Sequence, residues 1–448
     1  TDPPPGQNNW KQLEIPCMES IDFINAFNSR DRAQLLHALF GQQQLSSIHR
    51  FAHWAYSAPS PLYVYGKDGT VIATIDSSNG VKQGDPLGSL SFAVRVKDIY
   101  AAVAEVSPNV TVLAILDDVT LIGPPEDVMK AVKRLEELAK AAGLLIQAKK
   151  SVCFFFSDQQ LPSSVEQFLR DKGIPIEREA GMLLGAPIGR NVEKIGSLLR
   201  NIVAEHESFF TLIKNDRLPV QESMLILRLS GVPRMNYISR CVHPDLTAES
   251  TLLFDQQVLD AAKSKLQLPS PVSHSALQQM TSPVKFGGFG LRSSFSTRQF
   301  AWWGALAQAA PVLQQVNATP AGIEEVLAVV RDRAPSSHSV LPAEHKTALS
   351  FYNSDKTLAV QLQHALTAES EAIEFDETFR DLNQESQARL NAASAPWAGA
   401  WITAIPLDKS LQLDNSAYRM LQDSDWVCSW LTLHPRAVGA VKRQHTVM

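Results

Sequence analysis

Residues 114–123 read Ala114-Ile115-Leu116-Asp117-Asp118-Val119-Thr120-Leu121-Ile122-Gly123. Two adjacent aspartates stand between two short apolar runs. Residues 112–116 read as one buried strand and 119–122 as the next. Carboxylates at the tip of a buried hairpin are costly to desolvate unless a cation neutralises them. A hard divalent ion, Mg2+ or Mn2+, is the natural partner for such oxygens. Side chains alternate along a strand, so a straight strand aims only one of the pair, Asp117, at a shared site; Asp118 joins it through turn geometry. The plain alternative is a β-turn with two solvated aspartates.

A third carboxylate lies upstream. Residues 17–23 read as a short strand, and Asp22 stands at its end in Ser20-Ile21-Asp22-Phe23-Ile24-Asn25-Ala26-Phe27-Asn28. If that strand pairs beside the hairpin, Asp22 and Asp117 face each other and can hold two ions roughly 3.5–4 Å apart. Phosphoryl transfer asks mainly for positioning and charge neutralisation, so this little machinery suffices. The alternative for Asp22 is a helix N-cap.

The flanking pattern is α+β. Residues 31–56 carry a helical stripe, 62–65 and 71–75 flank the turn Gly66-Lys67-Asp68-Gly69, and 89–106 form a helix after a Gly/Pro-marked loop. Pro124-Pro125 opens a helix with Val128, Val132, Leu135 and Ala139 on its apolar face, stopped by Gly143. This order predicts an antiparallel sheet backed by helices. From residue 191 the texture turns helical, with stretches at 192–214 and 219–240. The expected organisation is 1–190, 191–300 and a mostly helical 301–448.

With 448 residues and a net charge of −5, the chain holds large cores and no global basic field; a nucleic-acid partner needs a local basic groove. Four scattered cysteines fit a reducing, intracellular compartment and no disulfide framework. No apolar run spans a membrane. The first residue is Thr1, which reads as the start of a fragment or a processed product.

Five stretches together resemble the palm of a reverse transcriptase (RNA-directed DNA polymerase) of the eukaryotic non-LTR retrotransposon type. They are residues 22–28; Gly80-Val81-Lys82-Gln83-Gly84-Asp85-Pro86-Leu87-Gly88; the Asp117-Asp118 hairpin; Gly143-Leu144-Leu145-Ile146-Gln147-Ala148-Lys149-Lys150-Ser151; and Leu184-Gly185-Ala186-Pro187-Ile188-Gly189. The resemblance implies a right-hand polymerase palm, a helical thumb over 191–300, and DNA synthesis on RNA with two Mg2+ (or Mn2+) ions. The implied partners are an RNA template, a DNA or RNA primer and dNTPs. Asp22, Asp117 and Asp118 would be catalytic and hold metal, with Lys150 near the triphosphate. Phe27, Gln83, Gly84 and Pro86 would line the nucleotide pocket, the Phe27 ring excluding a 2′-hydroxyl. Leu184, Gly185 and Gly189 would belong to the hairpin gripping the primer end.

Two departures stand out. The residue two before Asp117 is aromatic in the family and is Ile115 here. Residues 1–21 are too few to supply the family's basic fingers, so the fingers are expected to be largely missing. These departures favour a second reading, a catalytically inactive, domesticated RNA-binding or scaffold protein. Against it, Asp22, Phe27, Gln83, Asp117, Asp118 and Lys150 all keep the chemically required types. Trp302, Trp303, Trp426 and Trp430 read either as base-stacking rings or, at helical spacing, as core.

Overall fold

The computed structural model describes residues 16–28, 31–82, 84–268, 270–315, 323–334, 356–407 and 412–420. The chain divides into two compact units, one of residues 1–183 and 189–191, the other of 184–188 and 192–448.

The first unit is built on β1 (Cys17–Ile21), the central strand of a five-stranded sheet ordered β4-β5-β1-β6-β7. β5 (Asp118–Gly123) and β6 (Val152–Phe154) flank it antiparallel, and β4 (Thr111–Ile115) lies outside β5. β7 (Ile176–Glu177) pairs with β6 in parallel, so the sheet is mixed and not purely antiparallel as expected. The short helix α5 (Ser163–Lys172) lies between β6 and β7, a connection that leaves them parallel.

One face of the sheet carries the core. Cys17, Ile21, Val119, Leu121 and Cys153 pack with Phe92 and Val96 of α3 (Pro86–Val106) and with Val128, Val132, Leu135 and Ala139 of α4 (Pro125–Ala141). The apolar stripe of α4 is the one its sequence spells. β4 departs from the buried strand its composition suggests: Leu113, Ala114 and Ile115 are exposed. The physical reason is position, because β4 is the sheet edge and pairs on one side only.

Residues 31–56 form two helices, α1 (Arg32–Phe40) and α2 (Ser46–Tyr56), not one. Gly41 caps α1, its N–H bonding the His37 carbonyl at 3.1 Å. β2 (Ser60–Tyr65) and β3 (Val71–Ser77) make a separate two-stranded ribbon around the expected 66–69 turn. Its residues are exposed along nearly their whole length. α3 starts at Pro86 rather than at Ser89, because Asp85 is its N-cap. After β7, β8 (Ala180–Leu183) and β9 (Ala186–Gly189) form a hairpin.

The second unit is helical. The 192–214 stretch splits into α6 (Val192–Glu205) and α7 (Glu207–Lys214). The 219–240 stretch passes from α8 (Val220–Ile226) through a π turn at Leu227–Gly231 and a 3-10 turn at Val232–Met235 into α9 (Asn236–Cys241). Pro233 lacks an amide hydrogen, which accounts for the loss of regular α bonding there. α10 (Pro244–Leu266), α11 (His274–Thr281) and α12 (Ser294–Gln315) follow. Phe300, Trp302, Trp303 and Leu306 of α12 are buried with Val326, Val330, Leu362 and Leu366. Trp302 and Trp303 are therefore core residues; Trp426 and Trp430 lie outside the described residues. No described helix is long and apolar enough to cross a membrane.

Candidate active site

Asp22 leaves β1 at a point fixed from both sides. The β1–β5 ladder ends with Ile21 opposite Val119, so Asp22 is the residue after the last pair on one strand and Asp118 the residue before it on the other. Ile21 and Val119 point into the core, so Asp22 and Asp118 fall on the sheet face turned away from the helices. On the other side, the Asp22 carbonyl accepts from the Gln147 amide at 2.7 Å, and the Ile24 amide donates to the Leu145 carbonyl at 2.8 Å. The Asp22 amide donates to Ser151 Oγ at 3.2 Å. The stretches around Asp22, Asp118 and Gln147 thus meet at the end of one strand.

The β4–β5 turn has two residues, Leu116 and Asp117, closed by the pair Ile115 and Asp118. Leu116 has φ +60°, the sign such a tight hairpin requires at its first central position. Tyr100 of α3 holds this turn, its hydroxyl donating to the Leu116 carbonyl at 2.7 Å. Asp117 is half-buried and Asp118 exposed. Burial raises the Asp117 carboxyl above the usual carboxylate range; a bond from its own backbone opposes this, and the negative charges of Asp118 and Asp22 add to the rise. Lys150 Nζ stands 3.9 Å from Asp22 Oδ2.

Among the described residues, no three His, Cys, Asp or Glu side chains form a ready-made cation cage. Asp22, Asp117 and Asp118 are oxygen donors of the kind that could hold magnesium, which takes one or two carboxylates and completes its octahedron with water and phosphate. A cation here would offset the burial of Asp117 and the negative charges of Asp118 and Asp22 beside it.

Phe27 stacks on Phe92 of α3, ring centroids 4.5 Å apart and planes 23° apart. Its carbonyl accepts from the Val81 amide at 2.9 Å. Gly80 permits this approach: at φ +66°, a Cβ there would lie 2.3 Å from the Phe27 carbonyl oxygen. Gln83 lies outside the described residues. Gly84 is exposed, and Pro86 is the first residue of α3, also exposed. Leu184 and Gly185 belong to the second unit and form the two-residue turn before β9, with φ +49° and +78°. Tyr237 of α9 donates its hydroxyl hydrogen bond to the Leu184 carbonyl. Gly189 ends β9, in the first unit.

Sequence reasoning missed Arg32, Tyr56 and the capping role of Asp85, which together hold the 80–88 loop. Asp85 was legible as an Asp-Pro helix start. Arg32 and Tyr56 carry no sequence signal, since their partners lie far along the chain. In the second unit several basic residues are engaged internally: Arg200 pairs with Glu249 at 3.1 Å, and Arg228 donates to the Ile402 carbonyl at 3.0 Å. Arg234 stacks over Phe209 at 4.0 Å.

No protein-family model matches the chain. It is 25% identical over 282 residues to the retrotransposable element SLACS 132 kDa protein of Trypanosoma brucei gambiense, a match that takes 63% of this chain and 23% of that protein. The chain thus spans less than a quarter of that relative's length. Two similar solved structures are of telomerase with a fragment of telomeric RNA. The one from Candida albicans is 9% identical with a TM-score of 0.30 and covers 70% of this chain and 49% of that one. The one from Candida tropicalis is 12% identical with a TM-score of 0.32, covering 80% and 50%.

Proposed function

From the premise that this chain is reverse-transcriptase-like and distantly homologous to a retrotransposon protein, we propose that it carries the catalytic palm of an RNA-directed DNA polymerase. What supports the reading is that Asp22 and Asp118 directly follow and precede the paired residues Ile21 and Val119, that Asp117 lies in the adjoining turn, and that Lys150 Nζ is 3.9 Å from Asp22 Oδ2. In this reading the mixed sheet with α3 and α4 is the palm, and the helices from α6 onward begin the thumb. Two divalent ions, when bound by Asp22, Asp117 and Asp118, would activate the primer hydroxyl and stabilise the departing pyrophosphate. The chain's own groups do the rest. The half-buried Asp117 turn fixes where the negative charge stands. The Phe27 ring, backed by Phe92, fills the volume beside the sugar. The backbone of the 80–88 loop borders the base and triphosphate, and Lys150 supplies a positive charge and a proton to the leaving group.

A second reading, an RNA-binding scaffold without chemistry, is favoured by one observation: Ile115 stands exposed where the resemblance has an aromatic ring. Primer extension on a primed RNA template with dNTPs and Mg2+ separates the two. The polymerase reading expects extension by wild type and none by Asp117→Asn. RNA binding without extension by the wild type, in Mg2+ and in Mn2+ alike, would overturn it in favour of the scaffold.

A further inference from the structure

Building on the polymerase reading of the site, we infer that Tyr56 is a positioning residue for the nucleotide pocket: its hydroxyl fixes the 80–88 loop against Phe27 and so sets how closely the pocket fits a deoxyribose.

Tyr56 is the last residue of α2 and is 3% exposed. Its hydroxyl donates to Asp85 Oδ2 and accepts from the Lys82 amide at 3.2 Å. The other Asp85 oxygen accepts from the Leu87 amide at 2.9 Å and starts α3. The Asp85 amide in turn reaches the Lys82 carbonyl at 3.2 Å. One phenol therefore ties together both ends of the short turn that contains Gly84, and joins that turn to the helix carrying Phe92.

The Tyr56 ring serves a different purpose. It packs with Leu35 and Val81 in a small core against which Phe27 and Leu87 also lie. Phe27 thus packs against both Phe92 and the Tyr56 cluster. The Arg32 guanidinium lies 5.4 Å from the centre of the same ring and donates to the Gly80 carbonyl at 2.8 Å. Burial, and then the bond to Asp85, push the phenol's pKa up to about 12, so it remains a donor at any working pH. The hydroxyl bonds to Asp85 and to the Lys82 amide, on the side where the sugar and triphosphate enter in the polymerase reading.

Phenylalanine at this position keeps the ring and removes both bonds, leaving Asp85 Oδ2 and the Lys82 amide short of a partner. Steady-state extension with dNTPs and rNTPs is measured for wild type, Tyr56→Phe and Asp85→Ser, together with hydrogen exchange across residues 80–88. Serine keeps an N-cap for α3 but no longer reaches Tyr56, and so gives the same readout if Tyr56→Phe fails to fold. Tyr56→Phe is expected to raise the dNTP KM about tenfold with kcat nearly unchanged, and to narrow the preference for dNTP over rNTP. Exchange in 80–88 should quicken. Asp85→Asn keeps one of the two acceptor oxygens and should fall between wild type and Asp85→Ser in preference. Faster exchange with unchanged KM and unchanged preference would make Tyr56 a merely structural residue and overturn the inference; so would a loss confined to kcat. If the wild type itself extends nothing, the polymerase reading fails and the inference with it. An active wild type matched by Tyr56→Phe overturns the inference alone.

Discussion

Lys150 Nζ and Asp22 Oδ2 are 3.9 Å apart, and both side chains reach solvent. A pair this exposed adds little stability. Its significance is positional: an ammonium is held at the rim of a group of carboxylates. Lys150→Ala should leave the melting temperature unchanged and slow incorporation by roughly 10²–10⁴-fold, the range of a lost general acid, in single-turnover extension. Lys150→Arg keeps the charge but cannot release a proton, so it should bind dNTP and remain slow. Full activity in Lys150→Ala would remove Lys150 from the chemistry.

Phe27 and Asp117 should fail in different ways. Phe27→Val removes the ring that stacks on Phe92 and, in the polymerase reading, opens volume beside the sugar. Ribonucleotide incorporation should rise by up to roughly 10²-fold relative to deoxynucleotide, the scale on which an apolar pocket rejects a hydroxyl. Asp117→Asn removes charge rather than shape and should abolish both incorporations. Competition between dNTP and rNTP on one primed template reads out the ratio directly. A Phe27→Val enzyme with wild-type discrimination would end the gate assignment.

Much of this arrangement was legible. The 66–69 turn, the α4 stripe and the two strands around Asp117-Asp118 follow from local chemistry, and the observed bounds shift by one or two residues. The single helix read over 31–56 overlooked Gly41, because Leu35, Leu39, Ile48 and Phe51 keep a helical stripe across the break. β4 looked buried because its residues are apolar; its edge position depends on strand order, which no short window contains. The β6–β7 pairing is likewise non-local. Arg32 and Tyr56 were invisible for the same reason. For the candidate site, the carboxylates and Phe27 are proposals that start from sequence, whereas the backbone contact that Gly80 makes with Phe27 has no sequence signal.

Glu19 gives a test of stability against pH. It lies on the core-facing side of β1 and is 2% exposed, and among the described residues its Oε1 has no hydrogen-bond partner. Burial pushes its pKa from 4.5 up to about 8. A carboxyl raised on folding stabilises fully below its unfolded pKa and loses that contribution as pH rises through the folded value. Stability should therefore fall between about pH 4.5 and pH 8. Glu19→Gln should flatten that slope and melt higher than wild type at pH 9. Parallel melting curves for the two proteins across this range would show that Glu19 does not titrate as stated.

Asp255 gives a test in the second unit. From α10 its carboxylate caps α12 across space, accepting from Ser293 Oγ at 2.6 Å and from the Ser294 and Phe295 amides at 2.8 and 3.1 Å. Asp255→Ala should cost about 1–3 kcal/mol in urea unfolding, because it leaves these partly buried donors short of a partner. Asp255→Asn keeps an acceptor and should cost less. Equal losses for the two would assign the effect to packing.

The Arg32 fork has a practical consequence for redesign. Its nitrogens reach the Ala58 carbonyl at 3.3 Å on one side of the β2–β3 ribbon, and Ser77 Oγ at 2.8 Å and the Asn79 carbonyl at 3.4 Å on the other. The two ends of this exposed excursion are thus clasped together by a residue outside it. Closing a loop grows costlier only slowly with length, about 0.6 kcal/mol per doubling, and the clasp offsets part of that cost. The ribbon is therefore the place to splice an affinity tag, a fluorescent reporter or a shorter turn: an exchange confined to the stretch between Pro61 and Asp76 leaves Ala58, Ser77, Asn79 and Gly80 with their bonds to Arg32.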